Sequence, residues 1–199
     1  MLDDHAVVRF GLELLVRQST RLRWGGSAAT SAELVALLSS APCHVLVLDY
    51  ELSPDELDGW GLVKILRVRF PHVRILVYTA HLDASAELLM RKAGAHGFVA
   101  KSGDLTHLLQ VLEAVAMGDV HFSQPGGIDE RDQRLSQLTP REIEVLRCCL
   151  QGMSMTEIAR KFVRSVKTVS SQKHTAYRKL GIRSDYELLK LFGSNASSD

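Results

Sequence analysis

Residues 138–189 read LTPREIEVLRCCLQGMSMTEIARKFVRSVKTVSSQKHTAYRKLGIRSDYELL. At three points in this stretch a Ser or Thr stands three residues before a Glu: residues 139–142, 154–157 and 184–187. This spacing is typical of a capping box, in which the hydroxyl accepts a hydrogen bond from a helix N–H and the Glu carboxylate accepts one from the capping residue. The stretch therefore predicts at least three short helices.

Basic side chains are concentrated between the second and third capping boxes. Eight Lys and Arg residues and no carboxylate lie between Glu157 and Asp185, in a chain of 199 residues whose formal net charge is only +1. Residues 135–199 hold 11 basic and 6 acidic side chains, whereas residues 1–134 hold 13 and 17. The positive charge is therefore segregated, as a phosphate-binding surface requires.

Helical periodicity predicts two helices in this basic region. Residues 163–165 form a short break after the helix that starts at Ser154, and Ser165 is a candidate N-cap for the next helix. In that next helix one stripe is apolar: Val169, Ala176 and Leu180. The opposite face is polar and basic: Lys167, Ser170, Ser171, His174 and Arg178. This pattern is typical of a helix-turn-helix that binds double-stranded DNA, although an ordinary solvated helix face would also account for the charges.

The DNA contacts are assigned by residue type. Hydroxyl and imidazole groups can meet base edges in the major groove, which assigns that role to Ser170, Ser171 and His174. Phosphate contacts are assigned to Lys167, Thr168, Lys173, Arg178 and Lys179. Gln172 completes the predicted DNA-binding set.

Four segments of this region carry a family resemblance: residues 138–146, 156–159, 167–173 and 178–181. Together they resemble the LuxR/NarL-type DNA-binding domain. The resemblance implies an all-α helix-turn-helix domain over residues 135–199. Residues 119–134 contain Pro-Gly-Gly and mixed charge without an apolar period, so they are predicted to be a linker.

Residues 1–118 predict a different kind of domain. Short apolar runs at 45–48, 75–78 and 97–100 alternate with segments of helical period. This alternation is typical of βα units around a parallel sheet, which places the first domain in the α/β class.

Three candidate site residues follow the apolar runs, namely Asp49, Thr79 and Lys101. In open parallel sheets ligands bind beyond the carboxyl ends of the strands. Carboxylates gathered there with the acidic pair Asp3-Asp4 would repel one another unless a hard divalent cation such as Mg²⁺ held them. With that cation, Asp49 could act as a nucleophile on a phosphoryl group while Lys101 and Thr79 contact its oxygens. Taken singly, Asp49 could cap a loop at a strand end, Thr79 could be an ordinary strand-end hydroxyl, and Lys101 could simply be exposed to solvent.

The combination resembles the receiver domain of two-component response regulators, a flavodoxin-like, doubly wound fold. The resemblance implies that Asp49 is the phosphoacceptor. It implies four phosphate-contacting or switch residues: Thr79, Ala80, Phe98 and Lys101. It also implies a Mg²⁺ site formed by Asp3, Asp4, Asp49 and the backbone carbonyl of Glu51. Residues 165–173 and the loop 53–61 further resemble the branch of capsule-synthesis and envelope-stress regulators.

The chain departs from the receiver pattern in two places. Only Met1 and Leu2 precede Asp3, so the first strand of the sheet is predicted to be truncated. We favour a start of the protein further upstream; the alternative is a gap of unpaired N–H and C=O groups between the neighbouring strands. Ser102 stands where receivers have proline after the lysine, so a cis peptide bond is not expected there.

The prediction is a response regulator that is a DNA-binding transcriptional regulator and not an enzyme. A sensor histidine kinase, a phosphotransfer protein or a small phosphodonor would phosphorylate Asp49. The regulator would act as a homodimer or as a heterodimer with another regulator. One alternative is a phosphorylation-independent regulator that acts with a partner subunit. A remote alternative is an aspartate-nucleophile phosphotransferase, although the chain lacks the second aspartate and the phosphate-binding glycine loop of such an enzyme.

Composition restricts the cellular location of the protein and the state of its cysteines. The chain has no run of 18 apolar residues and no signal segment, which indicates a cytoplasmic protein without a membrane anchor. Cys43, Cys148 and Cys149 are an odd number of cysteines without metal-binding spacing. They are expected to be reduced core thiols, with a redox role for the adjacent pair as the alternative.

Overall fold

The computed structural model describes residues 1–53, 56–57, 59–80, 84–122 and 137–193. The chain divides into two compact units, Met1–Gly126 and Gly127–Asp199. The predicted linker at 119–134 spans this division, and its residues 123–134 lie outside the described residues.

The first unit is an α/β domain, as predicted. Its helices are α1 (Ala6–Gln18), α2 (Ser31–Ser40), α3 (Gly59–Arg69), α4 (Ala84–Ala93) and α5 (Leu105–Met117). Its strands are β1 (Val45–Asp49), β2 (Arg74–Thr79) and β3 (Gly97–Ala100), which form a parallel sheet in the order β1-β2-β3. All three lie within one residue of the predicted apolar runs. Because helices cover both faces of such a sheet, its strands are continuously apolar rather than alternating, and residues that point to opposite faces are buried alike: Leu46 and Val47 on β1, Leu76 and Val77 on β2.

The extended segment at residues 1–3 pairs with neighbours on both of its sides. The Leu2 N–H donates to the Val47 carbonyl at 2.9 Å, and the Leu2 carbonyl accepts from the Asp49 N–H at 2.9 Å. On the other side, the Ala28 N–H donates to the Met1 carbonyl at 2.9 Å. The gap of unpaired groups that the sequence raised as a possibility is therefore absent along residues 1–3, because three extended residues suffice to bridge both neighbours.

The opposite edge of the sheet is extended by the segment that follows α5. The Phe98 N–H donates to the His121 carbonyl and the His121 N–H donates to the His96 carbonyl, both at 2.9 Å. Gly97 permits this close approach, since a Cβ there would lie 2.6 Å from Leu76 Cδ1 and 3.1 Å from the His121 carbonyl oxygen. The first residues of the predicted linker thus pair with β3.

The second unit is helical. It contains α6 (Pro140–Leu150), α7 (Met155–Lys161), α8 (Val166–Leu180) and α9 (Asp185–Gly193). The capping boxes that begin α6 and α7 are both formed, and the Ser165 hydroxyl accepts from the Thr168 N–H at the start of α8. At α9 only half of the predicted box forms, because the Glu187 carboxylate accepts from the Arg183 N–H, one residue before the cap.

The turn between α7 and α8 contains a strained residue. Val163 has φ of +53°, a left-handed conformation that is unfavourable for a β-branched side chain. It occupies the position after the helix where glycine is the usual residue, and the next N–H, from Arg164, donates back to the Ala159 carbonyl at 2.8 Å.

Two further sequence expectations concern membranes and cysteines. Among the described residues, no helix combines the length and the apolar composition that crossing a bilayer demands. All three cysteines are free thiols, as expected, but only Cys148 is fully buried, while Cys43 and Cys149 are half-buried.

Candidate functional site

The fold brings together two carboxylates and one ammonium group from three distant parts of the chain. Asp3 follows the Leu2 bridge, Asp49 ends β1, and Lys101 follows β3. Lys101 Nζ lies 2.8 Å from Asp3 Oδ2 and 2.7 Å from Asp49 Oδ2. Asp3 is fully buried and Asp49 is only 3% exposed. We call Asp3, Asp4, Asp49 and Lys101 the acidic pocket.

Burial dominates the electrostatics of this pocket. Burial, together with the charge of Asp3, raises the pKa of Asp49 to about 6, although the hydrogen bond from Lys101 opposes the shift. Burial alone would lower the pKa of Lys101, but its hydrogen bonds to Asp3 and Asp49 outweigh that effect and raise it. Lys101 is therefore a firmly protonated cation that partly neutralises two buried carboxylates.

Asp4 lies at the rim of the pocket with its two oxygens in different surroundings. Asp4 Oδ2 accepts a hydrogen bond from the Ser53 hydroxyl at 2.7 Å. Asp4 Oδ1 is buried without a hydrogen-bond partner in the described part of the chain, and His5 Nδ1 lies 2.8 Å from it without hydrogen-bond geometry. Although burial acts to raise it, the pKa of Asp4 is lowered by the Ser53 hydroxyl and by His5. Asp4 is therefore held as a carboxylate.

These oxygens fit a hard divalent cation. Asp3, Asp4, His5 and Asp49 each offer a ligand atom, and the four atoms lie within 4.8 Å of one another. Carboxylate oxygens are the ligands that Mg²⁺ prefers, and an unpartnered carboxylate oxygen is open to coordination. His5 was not in the predicted ligand set, although its place beside the acidic pair could have suggested it. Glu51, whose carbonyl the resemblance assigned to the metal, donates its N–H to Asp49 Oδ1 at 3.2 Å.

The predicted switch residues lie on β2 and β3 or directly after them. Thr79 is fully buried at the end of β2, and its carbonyl accepts from the Lys101 N–H at 2.6 Å. Phe98 is buried on β3, where its ring meets the edge of the Tyr50 ring at a centroid distance of 6.2 Å. Ala80 is exposed directly after β2. Tyr50, the neighbour of Asp49, was not singled out from the sequence.

Helix α8 has the two faces that its periodicity predicts. Its buried stripe contains Val169, Ala176 and Leu180, each no more than 1% exposed. Six of the predicted DNA-binding residues are exposed: Lys167, Thr168, Ser170, Ser171, His174 and Arg178. We call these six the exposed face of α8. Gln172 is half-buried beside it.

Two of the predicted phosphate contacts, Lys173 and Lys179, form ion pairs within the second unit. Lys173 Nζ lies 2.6 Å from Asp185 Oδ1, and Lys179 Nζ lies 2.7 Å from Glu142 Oε2. Glu142 belongs to the capping box of α6 and Asp185 begins α9. These ion pairs connect α8 to both helices, a role that the sequence pattern did not reveal because the acidic partners lie outside the basic run.

A parallel sheet with an acidic pocket, joined to a helical unit with a basic exposed helix, defines a class of signal-dependent regulators. Residues 1–113 match the family model described as the response regulator receiver domain. Residues 136–192 match the model described as bacterial regulatory proteins of the luxR family. The chain therefore belongs to the response regulators that carry a LuxR-type domain, and it is a DNA-binding transcriptional regulator.

Individual relatives identify the branch of this class to which the chain is similar. The chain is 33% identical to the transcriptional regulatory protein RcsB of Escherichia coli K12, over 96% of this chain and 92% of that protein. It is 29% identical to the fimbriae Z protein of Salmonella typhimurium, over 95% and 92% of the two chains. These comparisons confirm the predicted branch, and the RcsB relatives are transcriptional regulators rather than enzymes.

Solved structures agree with this relationship. The RcsB response regulator of Salmonella typhimurium matches with a TM-score of 0.82 and 33% identity, over 97% of this chain and 94% of that one. An RcsB–DNA complex matches with a TM-score of 0.79 and 32% identity, over 96% and 95% of the two chains.

Proposed function

We propose that Asp49 accepts a phosphoryl group from a histidine kinase or phosphotransfer protein, and that this modification alters DNA binding by the exposed face of α8. One observation carries the proposal. Asp3, Asp49 and Lys101 are separated by 46 and 52 positions in the chain, yet one ammonium group contacts both carboxylates within 2.8 Å. A buried site of this kind is costly to form and is typical of phosphoryl chemistry at a strand end.

The residues of the pocket supply the parts of a transfer to aspartate. An Asp49 carboxylate oxygen attacks the phosphorus, and the bond from phosphorus to the donor nitrogen or oxygen breaks, so that the donor leaves with the electron pair. Lys101 already contacts Asp49, so its ammonium group lies where phosphoryl oxygens would arrive. The Thr79 hydroxyl can donate to one of them. Because the pKa of Asp49 is about 6, most of this side chain is ionised and nucleophilic at neutral pH.

Four groups would hold Mg²⁺ in this site: the carboxylates of Asp3, Asp4 and Asp49 and the backbone carbonyl of Glu51. When bound, the ion neutralises the charge of the carboxylates and of the phosphoryl oxygens. The unpartnered Asp4 Oδ1 and the compact arrangement of ligand atoms support this assignment.

A structural route for the signal runs along two strands. Phosphorylation adds roughly −1.5 to −2 charges beside Thr79, which attracts the hydroxyl and disturbs the end of β2. The Lys101 N–H, directly after β3, donates to the Thr79 carbonyl, and the Phe98 N–H on β3 donates to the His121 carbonyl. A change at Thr79 can therefore reach the start of the linker through main-chain hydrogen bonds. The consequence we propose is a shift toward a dimer that binds two half-sites about one turn of DNA apart.

The DNA-bound form and the partner are inferred from relatives. An RcsB structure is described as two dimers bound to two parallel DNAs, and others as bound to promoter DNA with the phosphomimetic BeF₃⁻. We propose a homodimer on double-stranded DNA in the cytoplasm, with a heterodimer with another regulator as the alternative assembly.

The test compares the wild-type chain with Asp49→Asn. The DNA is an rprA promoter duplex, the promoter to which RcsB is bound in one of the solved structures. Binding is measured by fluorescence anisotropy with and without acetyl phosphate and Mg²⁺. We expect acetyl phosphate to tighten binding by the wild-type chain and to leave Asp49→Asn unchanged. Equal tightening of DNA binding by both proteins on addition of acetyl phosphate would contradict phosphorylation at Asp49. Unchanged binding by both proteins would instead support the phosphorylation-independent regulator.

A further inference from the structure

Ser53 contacts the acidic pocket from the loop that follows β1. Its hydroxyl donates to Asp4 Oδ2 at 2.7 Å. The other oxygen, Asp4 Oδ1, is left without a hydrogen-bond partner among the residues that the structure describes. We propose that Ser53 is a positioning residue for the divalent cation: it binds one oxygen of Asp4 and leaves the other available to the metal. This inference rests on the proposed Mg²⁺ site.

The position of Ser53 does not depend on the pocket alone. The Glu56 N–H donates to the Ser53 carbonyl at 2.8 Å. The Glu56 carboxylate in turn accepts from the N–H and the hydroxyl of Ser31, at 2.9 and 2.5 Å, at the start of α2. Ser53 is therefore linked to the start of α2 through Glu56, by contacts that do not involve Asp4.

The hydrogen bond from the Ser53 hydroxyl to Asp4 should strengthen binding of the cation. Groups that hydrogen-bond a metal ligand orient it, and their loss typically reduces metal affinity about 10- to 100-fold. Without the hydroxyl, Asp4 can rotate away from Asp3 and Asp49. If the hydroxyl instead competed with the cation for Asp4, its removal would tighten binding. The two interpretations therefore predict opposite changes in affinity.

The experiment uses the full chain and MgCl₂, with affinity measured by isothermal titration calorimetry. We expect Ser53→Ala to raise the Kd for Mg²⁺ about 10-fold, and Ser53→Thr, which keeps the hydroxyl, to stay within about 3-fold of the wild-type value. Ser31→Ala is the matched control, because it removes a nearby hydroxyl that does not touch Asp4, while the Ser31 N–H still donates to Glu56 and keeps Ser53 linked to α2. Its Kd should also stay within about 3-fold of wild type.

A second measurement separates positioning from a loss of folded structure. Melting temperatures are recorded without metal and with saturating MgCl₂, since a bound ligand raises stability according to its affinity. We expect Ser53→Ala to melt close to the wild-type chain without metal but to show a smaller Mg²⁺-induced increase. An unchanged or lower Kd for Ser53→Ala overturns the positioning role and leaves the proposed metal site intact. If the wild-type chain itself does not bind Mg²⁺, both the metal site and the role of Ser53 are wrong.

Discussion

The acidic pocket and the exposed face of α8 hold their charges in opposite ways. In the pocket, the buried carboxylates of Asp3 and Asp49 come from two segments of the chain, and Lys101, from a third segment, contacts both. On α8, the side chains of Lys167 and Arg178 come from a single helix and lie in water. Buried charges are stable only when they are paired, whereas exposed charges cost little free energy. The pocket should therefore respond to pH and metal, and the exposed face to salt.

The strongest test of this contrast is Lys101→Ala. The substitution leaves Asp3 and Asp49 buried without their cation, so we expect the free energy of unfolding to fall by about 3 kcal/mol near neutral pH. Urea unfolding measures the effect, and MgCl₂ should restore part of the loss by replacing the positive charge. Lys167→Ala, the matched change on α8, should stay within about 0.5 kcal/mol of wild type. A loss below about 1 kcal/mol for Lys101→Ala would mean that water already solvates the pocket.

The second test concerns the pH dependence that Asp49 confers. Because the pKa of Asp49 is raised to about 6 in the folded state from 3.8, protonated Asp49 favours folding at low pH. That contribution is lost as the pH rises through 6. Asn does not ionise, so without metal we expect Asp49→Asn to be about 2 kcal/mol more stable than wild type near pH 8.

This advantage should disappear on acidification toward about pH 4, where wild-type Asp49 is itself neutral. Urea unfolding in EDTA across this range measures it. Asp119→Asn, which changes an exposed carboxylate, serves as the control. A pH-independent difference between Asp49→Asn and wild type would show that the pKa of Asp49 is not raised.

The third test concerns Val163, in the turn that precedes α8. Val163 is 83% exposed and has φ of +53°, so Val163→Gly loses little burial and relieves the left-handed strain. We expect it to stabilise the second unit by about 1 kcal/mol. Val166→Gly is the control, because it introduces glycine into the first turn of α8 and should destabilise by about 1 kcal/mol. Thermal unfolding followed by circular dichroism distinguishes the two, and equal effects would contradict the strain at Val163.

The smallest expected effect is a difference between two basic residues of α8 in their contribution to the salt dependence of DNA binding. Arg178 is exposed, so Arg178→Ala should lower the salt dependence of DNA binding, the slope of log K against log salt, by about one unit on any sequence. The residue pattern assigned the same role to Lys173. Since its ammonium group is paired with Asp185, Lys173→Ala should lower the slope by less. Equal changes in slope would show that this ion pair opens when DNA binds.

Features that depend on neighbouring residues were predictable. The strands at 45–48, 75–78 and 97–100, the N-caps Thr139, Ser154 and Ser165 and the buried stripe of α8 all follow from patterns within a few residues. Hydrogen bonds at a helix start and the helical period are local, so the tertiary structure has little freedom to change them.

Features that depend on distant residues were not predictable from patterns. The contacts of Ser53 with Asp4 and of Glu142 with Lys179 join positions 49 and 37 residues apart. The pairing of His121 with β3 likewise needs the sheet edge to be in place. No local pattern specifies which of several carboxylates or carbonyls a side chain or N–H will meet.

By itself, the sequence determined the two kinds of domain, the strand ends that carry Asp49, Thr79 and Lys101, and the helix that presents a basic face. Only the tertiary structure decided that Lys101 contacts both buried carboxylates, that Met1 to Asp3 suffice to pair the first strand, and that Lys173 is held by Asp185. The reason is physical: secondary structure and capping depend on residues a few positions apart, whereas the pairing of buried charges and sheet edges depends on which distant groups the packed chain brings within hydrogen-bond distance.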